Sequence, residues 1–208
     1  MNIQPLKLGL CAMSFLFFLI SCAPEVGRQI MTGRTALMNG NSKAALPKFE
    51  AISQSNPNYI YCINLFCVGI WTYLGRTYHE IGDNYKAVES LNQGRGRHSS
   101  DKFARIYRGL VKAPVSPLFP VQSELDAGLE ALNAWLVDLP GSHPDGQYWD
   151  TDGQLRKGIA DTRELLRADR INWEKVEEDV RWLAVNFEDE AQEVLREKQN
   201  EGGGGDDD

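Results

Sequence analysis

Two acidic runs, Glu177-Glu178-Asp179 and Glu188-Asp189-Glu190, hold the carboxylates that acid–base or metal chemistry would draw on. Successive helical residues point about 100° apart, so neighbours within each run do not converge on one atom. Both runs are expected to be the solvated face of a helix. The histidines, His79, His98 and His143, are scattered and form no zinc-ligand spacing with the cysteines. No histidine follows Cys62 or Cys67, which removes a covalent haem. Gly94-Arg95-Gly96-Arg97 lacks the lysine and hydroxyl of a phosphate loop, and no Ser-His-Asp or Cys-His pattern is present. The expectation is a chain that is not an enzyme, with no catalytic residue, no metal and no cofactor.

The remaining chemistry-bearing residue is Cys22. Lys7 precedes an apolar run from Leu8 to Ile20, a signal-peptide length that is short for a spanning helix. The run ends in Leu19-Ile20-Ser21-Cys22, which resembles the lipobox of bacterial lipoproteins. That resemblance implies cleavage after residue 21 and lipidation of Cys22. Several acyl chains at one residue anchor a protein stably. Ala23 stands where an aspartate would retain the protein at the inner membrane, so the expected location is the bacterial outer membrane, on its periplasmic face. Cys62 and Cys67 would then be the remaining thiols in an oxidising compartment, which invites a disulfide. A helix would hold the two side chains about 140° apart and prevent bridging. The sequence leaves both a disulfide and two buried thiols open.

The elements that must carry these residues are organised around Trp71 to Leu91. Trp71, Leu74 and Tyr78 fall three and four apart and form one helical stripe, Gly75 permits close approach of a second helix, and Gly82-Asp83 reads as a turn. The pattern Trp71-x2-Leu74-Gly75-x2-Tyr78, then Ala87, resembles the tetratricopeptide repeat, a helical hairpin of about 34 residues. An earlier unit keeps Ala45-x3-Phe49 and Pro57, with Gly33 and Gly40 at the helix contact and the turn. Between them Ile60 to Cys67 is an apolar insertion, expected to lengthen the first helix of the second unit. A third unit holds Phe103, Ile106, Tyr107 and Leu110, with Gly109 lying 34 residues after Gly75 and Asp101 starting its helix. Pro114 to Pro120 reads as an extended connector that delays the partner helix, Val121 to Leu139.

Beyond the repeats, Pro140 to Asp150 reads as a turn-rich loop, with Tyr148 and Trp149 either a partner surface or an aromatic plug. Thr151 with Gln154 resembles a capping box. Asn172 caps a last helix whose Trp173, Val176, Val180, Leu183, Phe187, Ala191 and Val194 form a stripe. The predicted architecture is all-α, a short solenoid of helical hairpins packed against C-terminal capping helices. Its parts are a leader over 1–21, a lipidated tether over 22–25, repeats over 26–139, a helical cap over 140–200 and a disordered acidic tail over 201–208.

Composition sets outer bounds. Of 208 residues 42% are hydrophobic and 25% charged, ordinary for a folded domain, and the net charge of −7 argues against a nucleic-acid partner. The tetratricopeptide resemblance implies a concave groove lined by the first helices, here Arg34, Leu37 and Met38, then Thr72, Arg76 and His79, then Phe103 and Ile106. Cations set among apolar residues suit a segment carrying a carboxylate. The expected function is a protein-interaction scaffold or assembly factor of the cell envelope, its partner an unidentified envelope protein or peptide. The alternative is a small-ligand-binding lipoprotein serving a transporter. A cell-wall hydrolase would need converging carboxylates, which the sequence does not display.

Overall fold

The computed structural model describes residues 22–98, 101–113 and 119–202. The expected leader, residues 1–21, lies outside them, as do 203–208 of the expected tail. Among the described residues the protein is all-α apart from one small hairpin: α1 (Cys22–Met38), α2 (Ser42–Ser55), β1 (Ile60–Ile63), β2 (Phe66–Gly69), α3 (Ile70–Glu80), α4 (Asn84–Arg97), α5 (Lys102–Lys112), α6 (Phe119–Ser142), a 3-10 turn (Pro144–Tyr148), α7 (Gln154–Arg167) and α8 (Trp173–Gly202). The expected tether over 22–25 is the first turn of α1, and the first two residues of the expected tail are the end of α8.

The helices α1–α2, α3–α4 and α5–α6 pair as hairpins, and one contact recurs in all three. A Cβ added at Gly33, Gly75 or Gly109 would lie 2.6, 2.5 or 2.8 Å from an atom of Phe49, Leu91 or Leu125. Each partner stands sixteen residues after its glycine. The glycine removes the side chain that would hold the second helix away, and the apolar partner fills the space. The equal offsets show that α6 is in register, not delayed. Residues 114–118 of the expected connector lie outside the described residues, and α6 already includes Phe119 and Pro120.

The first two hairpins close alike. Gly40 (φ +71°) and Gly82 (φ +86°) adopt the left-handed conformation that other residues resist. The N–H groups of Gly40 and Asn41 bond to the carbonyls of Leu37 and Ala36, and those of Gly82 and Asp83 to His79 and Tyr78. The Asn41 and Asp83 side chains then accept from the backbone N–H of Ala44 and Lys86, starting α2 and α4.

The insertion does not lengthen α3. Ile60–Ile63 and Phe66–Gly69 pair antiparallel, with Cys62 opposite Cys67, and the two are joined by a disulfide. Asn64 turns the chain at φ +49°, and its side-chain oxygen accepts from the Leu65 N–H. Alternation puts Ile63, Phe66 and Val68 inside and leaves Cys62 exposed. Phe66 enters an aromatic cluster with Phe103, Trp135, Trp149 and Phe187, its ring centroids 5.5 to 6.4 Å from theirs.

The C-terminal part departs from expectation in three places. First, α6 runs through Pro140 to Ser142, so the loop is shorter than 140–150, and Trp149 is buried at 4% exposure as a plug under the hairpin tip. Its indole N–H donates to Asn64 Oδ1 at 3.1 Å. Second, Thr151 does not cap α7. Asp150 accepts from the N–H groups of Leu155 and Arg156, and Asp152 from that of Gln154. Third, α8 does not seal an end of the hairpin stack. It crosses the first helices of the hairpins, burying Val176, Val180, Leu183, Ala184, Phe187, Ala191 and Val194. Asn172 does cap it, accepting from the Lys175 N–H at 3.2 Å.

Candidate functional site

The inner face of the hairpins carries two arginines at stripe positions, Arg34 on α1 and Arg76 on α3. Both are buried, 4% and 3% exposed, which a guanidinium tolerates only with a partner. The partner is Glu188 of α8, 1% exposed. Arg34 donates from Nε at 2.9 Å and from a terminal nitrogen at 2.5 Å to Glu188 Oε2. On the other oxygen, Oε1, the Tyr73 hydroxyl donates at 3.2 Å and an Arg76 terminal nitrogen lies at 3.5 Å. Arg34 also stacks over the Tyr61 ring of β1 at 4.3 Å, and Arg76 over the Tyr107 ring of α5 at 5.1 Å. One carboxylate therefore ties α8 to α1 and α3, and the second arginine reaches on to α5.

Electrostatics keep both guanidiniums charged. Burial disfavours the Arg34 cation, but Tyr73 and Glu188 outweigh it, so proton affinity rises. For Arg76 burial is likewise outweighed, by Tyr107 and Glu188. Burial pushes the Tyr73 hydroxyl well up, and Glu188 adds to that, so Tyr73 remains a donor. Burial also pushes up Tyr107, with Arg76 opposing.

This arrangement closes the expected groove. Arg34 and Arg76 face Glu188, and Phe103 packs on Phe187 of α8 with centroids 5.6 Å apart. Thr72 is fully buried and donates to Asp101 Oδ2 at 2.7 Å, an oxygen that also takes the Gly69 N–H at 2.7 Å. Burial raises the Asp101 carboxyl, against these hydrogen bonds. Ile106 points away from the groove, toward the bare Gly128 of α6. His79, its side chain 9% exposed, sits 2.9 Å from Asn84 Oδ1 through Nδ1, with Nε2 3.4 Å from Glu177 Oε1. Leu37 and Met38 lie at the groove's edge. The five large apolar side chains that α8 buries, Val176, Val180, Leu183, Phe187 and Val194, contribute about 8–15 kcal/mol gross at about 1.5–3 kcal/mol each. This apolar burial, with the Glu188 clamp beside it, makes α8 part of the core.

The acidic runs are likewise corrected in part. Asp189 is exposed, but Glu188 is the buried clamp and Glu190 is half-buried, accepting the Asp150 N–H at 2.5 Å. The signal for Glu188 was available: it stands four after Ala184 and three before Ala191, inside the apolar stripe.

What remains open beside the clamp is a cleft of about 290 Å³ between α1, α3 and α8, bordered by Leu37, Met38, Ser42, Arg76, Glu80, Arg181 and Val185. The Ser42 hydroxyl bonds the Glu80 carboxylate, and Arg181 pairs with Glu177 at 2.9 Å. Arg76 Nε and the Tyr107 hydroxyl are buried with no hydrogen-bond partner among the described residues. Among those residues no group of three His, Cys, Asp or Glu could hold a metal ion, and no helix is long and apolar enough to cross a membrane. Compared with protein-family models, with curated proteins and with solved structures, the chain finds no match.

Proposed function

We propose that this protein is a lipid-anchored interaction protein of the bacterial envelope, held at the outer membrane through Cys22 and working in the periplasm as a scaffold or assembly factor. The observation that carries the reading is the recurring glycine contact, at one offset in three successive hairpins. That regularity fits a tetratricopeptide-type module, whose common work is to hold a partner. The disulfide between Cys62 and Cys67, with Cys62 exposed, fits an oxidising compartment. Because α8 fills the inner face, partner contact falls on outward surfaces, where Tyr85 of α4 is 82% exposed and Val137 of α6 is 61% exposed.

In-cell photocrosslinking with reactive residues at Tyr85, Val137 and Trp182, followed by mass spectrometry, tests this. One recurrent envelope protein captured at Tyr85 or Val137 supports it; the same background at all three positions refutes it. Cys22→Ala should abolish labelled-palmitate incorporation and release the protein from the membrane fraction. Unchanged labelling would refute the anchor.

One observation favours a second reading, small-ligand binding: the cleft lies between the hairpins and α8, and at about 290 Å³ it is at the small end of ligand sites.

A further inference from the structure

The cleft offers charges of both signs on facing elements. Arg76 and Glu80 lie one turn apart on α3, and Arg181 comes from α8 opposite. Glu188 does not line the cleft, and its oxygens face Arg34, Tyr73 and Arg76. The lining therefore carries two guanidiniums and one carboxylate. A simple anion would meet Glu80, and a simple cation would meet both arginines. A molecule bearing a carboxylate beside an ammonium satisfies all three.

Two further observations point to a ligand here. Arg76 is 3% exposed, and its Nε has no partner, nor has the Tyr107 hydroxyl behind it. A buried unsatisfied donor is costly and uncommon, so Arg76, which lines the cleft, stands ready for an acceptor. Arg181 is free to turn inward, because its present pair with Glu177 is solvent-exposed on both sides and therefore weak. Leu37, Met38 and Val185 supply an apolar edge for a short side chain.

We propose that this cleft binds a small zwitterion, an α-amino acid either free or as the end of a larger molecule. Its carboxylate lies between Arg76 and Arg181 and its ammonium against Glu80. This deepens the small-ligand reading above and is independent of the partner crosslinking, which can succeed or fail separately.

Thermal shift and isothermal titration on the full-length protein test it, with alanine and leucine as probes. N-acetylalanine, alaninamide and propionate serve as controls that lack one charge. The expected result is a saturable rise in Tm with alanine or leucine and none with the controls. Glu80→Gln should weaken alanine at least tenfold and admit N-acetylalanine. Val185→Trp should fill the cleft and abolish binding while leaving the circular dichroism and the unliganded Tm near those of the parent. Tighter binding of Nε-acetyllysine than of alanine would assign the end of a larger molecule; weaker binding would assign the free amino acid. No shift with any amino acid overturns the proposal. So does equal binding of propionate, which would make the cleft an unselective anion site, or an unchanged response in Val185→Trp.

Discussion

Glu188→Ala is the sharpest test of how this molecule holds together. The substitution deletes the acceptor for Arg34 Nε at 2.9 Å, for its terminal nitrogen at 2.5 Å and for the Tyr73 hydroxyl at 3.2 Å, and strands Arg76. Breaking a buried pair on one side costs about 3–5 kcal/mol, because the other charge stays buried without compensation. Here two guanidiniums are stranded, so the upper end applies. In a chain of this size each kcal/mol lowers Tm by about 2–4 °C, giving a drop of about 10–20 °C. Glu188→Gln retains shape and an acceptor oxygen and should cost less, about 2–3 kcal/mol. Replacing all three charges, Arg34→Met, Arg76→Met and Glu188→Leu, in a Tyr73→Phe background that leaves no hydroxyl stranded, should recover most of the loss, since apolar groups of similar volume need no partner. Urea unfolding followed by far-UV circular dichroism measures all four proteins. A loss under about 1 kcal/mol for Glu188→Ala, the value of an exposed pair, would refute the clamp. So would a triple variant less stable than the single one.

Three other outcomes follow from particular contacts. Gly109→Ala places a Cβ 2.9 Å from the backbone nitrogen of Leu125 and should destabilise by about 1–3 kcal/mol, whereas Gly27→Ala meets nothing within 4 Å and should be neutral or mildly stabilising; equal effects in urea unfolding would refute hairpin packing at Gly109. Reducing the disulfide that closes this short loop should cost about 2 kcal/mol and expose the amides of β1 and β2 to hydrogen exchange, and an unchanged Tm with dithiothreitol would contradict that. The Lys198 hydrogen bond, then that of Asn64, lowers the Asp145 carboxyl, so its contribution is full above the unfolded value and is lost as pH falls through the lower folded one. The indole N–H resonance of Trp149, which bonds Asn64, should therefore shift below about pH 4 and lose that step in Asp145→Asn.

Much of the fold was legible because its determinants are local. Asn41, Asp83 and Asp101 each cap a helix through an N–H three residues on, and Asn172 does the same. The glycine contacts are local too, since sixteen residues span only one hairpin. The stripes of α3, α5, α6 and α8 repeat at three and four and are buried as that spacing requires, except that Trp71 and Trp173 are only partly covered. The β-hairpin escaped because a short, mostly apolar run satisfies helix and strand patterns alike. Its identity rests on Asn64 at positive φ and on tertiary contacts from Asp145 and Trp149, 81 and 85 residues away. The capping of α7 escaped because Asp150, one residue before Thr151, reaches forward to the N–H groups of Leu155 and Arg156.

The sequence by itself determined that α8 is an amphipathic helix with carboxylates, and that the first helices of two hairpins carry arginines among apolar neighbours. Only the tertiary structure decided that these belong together. Arg34 and Glu188 stand 154 residues apart, and periodicity reports which face of a helix is apolar without naming the face it will meet. The carboxylate that faces Arg34 and Arg76 comes from α8 of the chain itself. Once α8 brings its own carboxylate, burying its apolar stripe closes the groove and leaves beside the clamp a cleft where Arg76, Glu80 and Arg181 come together.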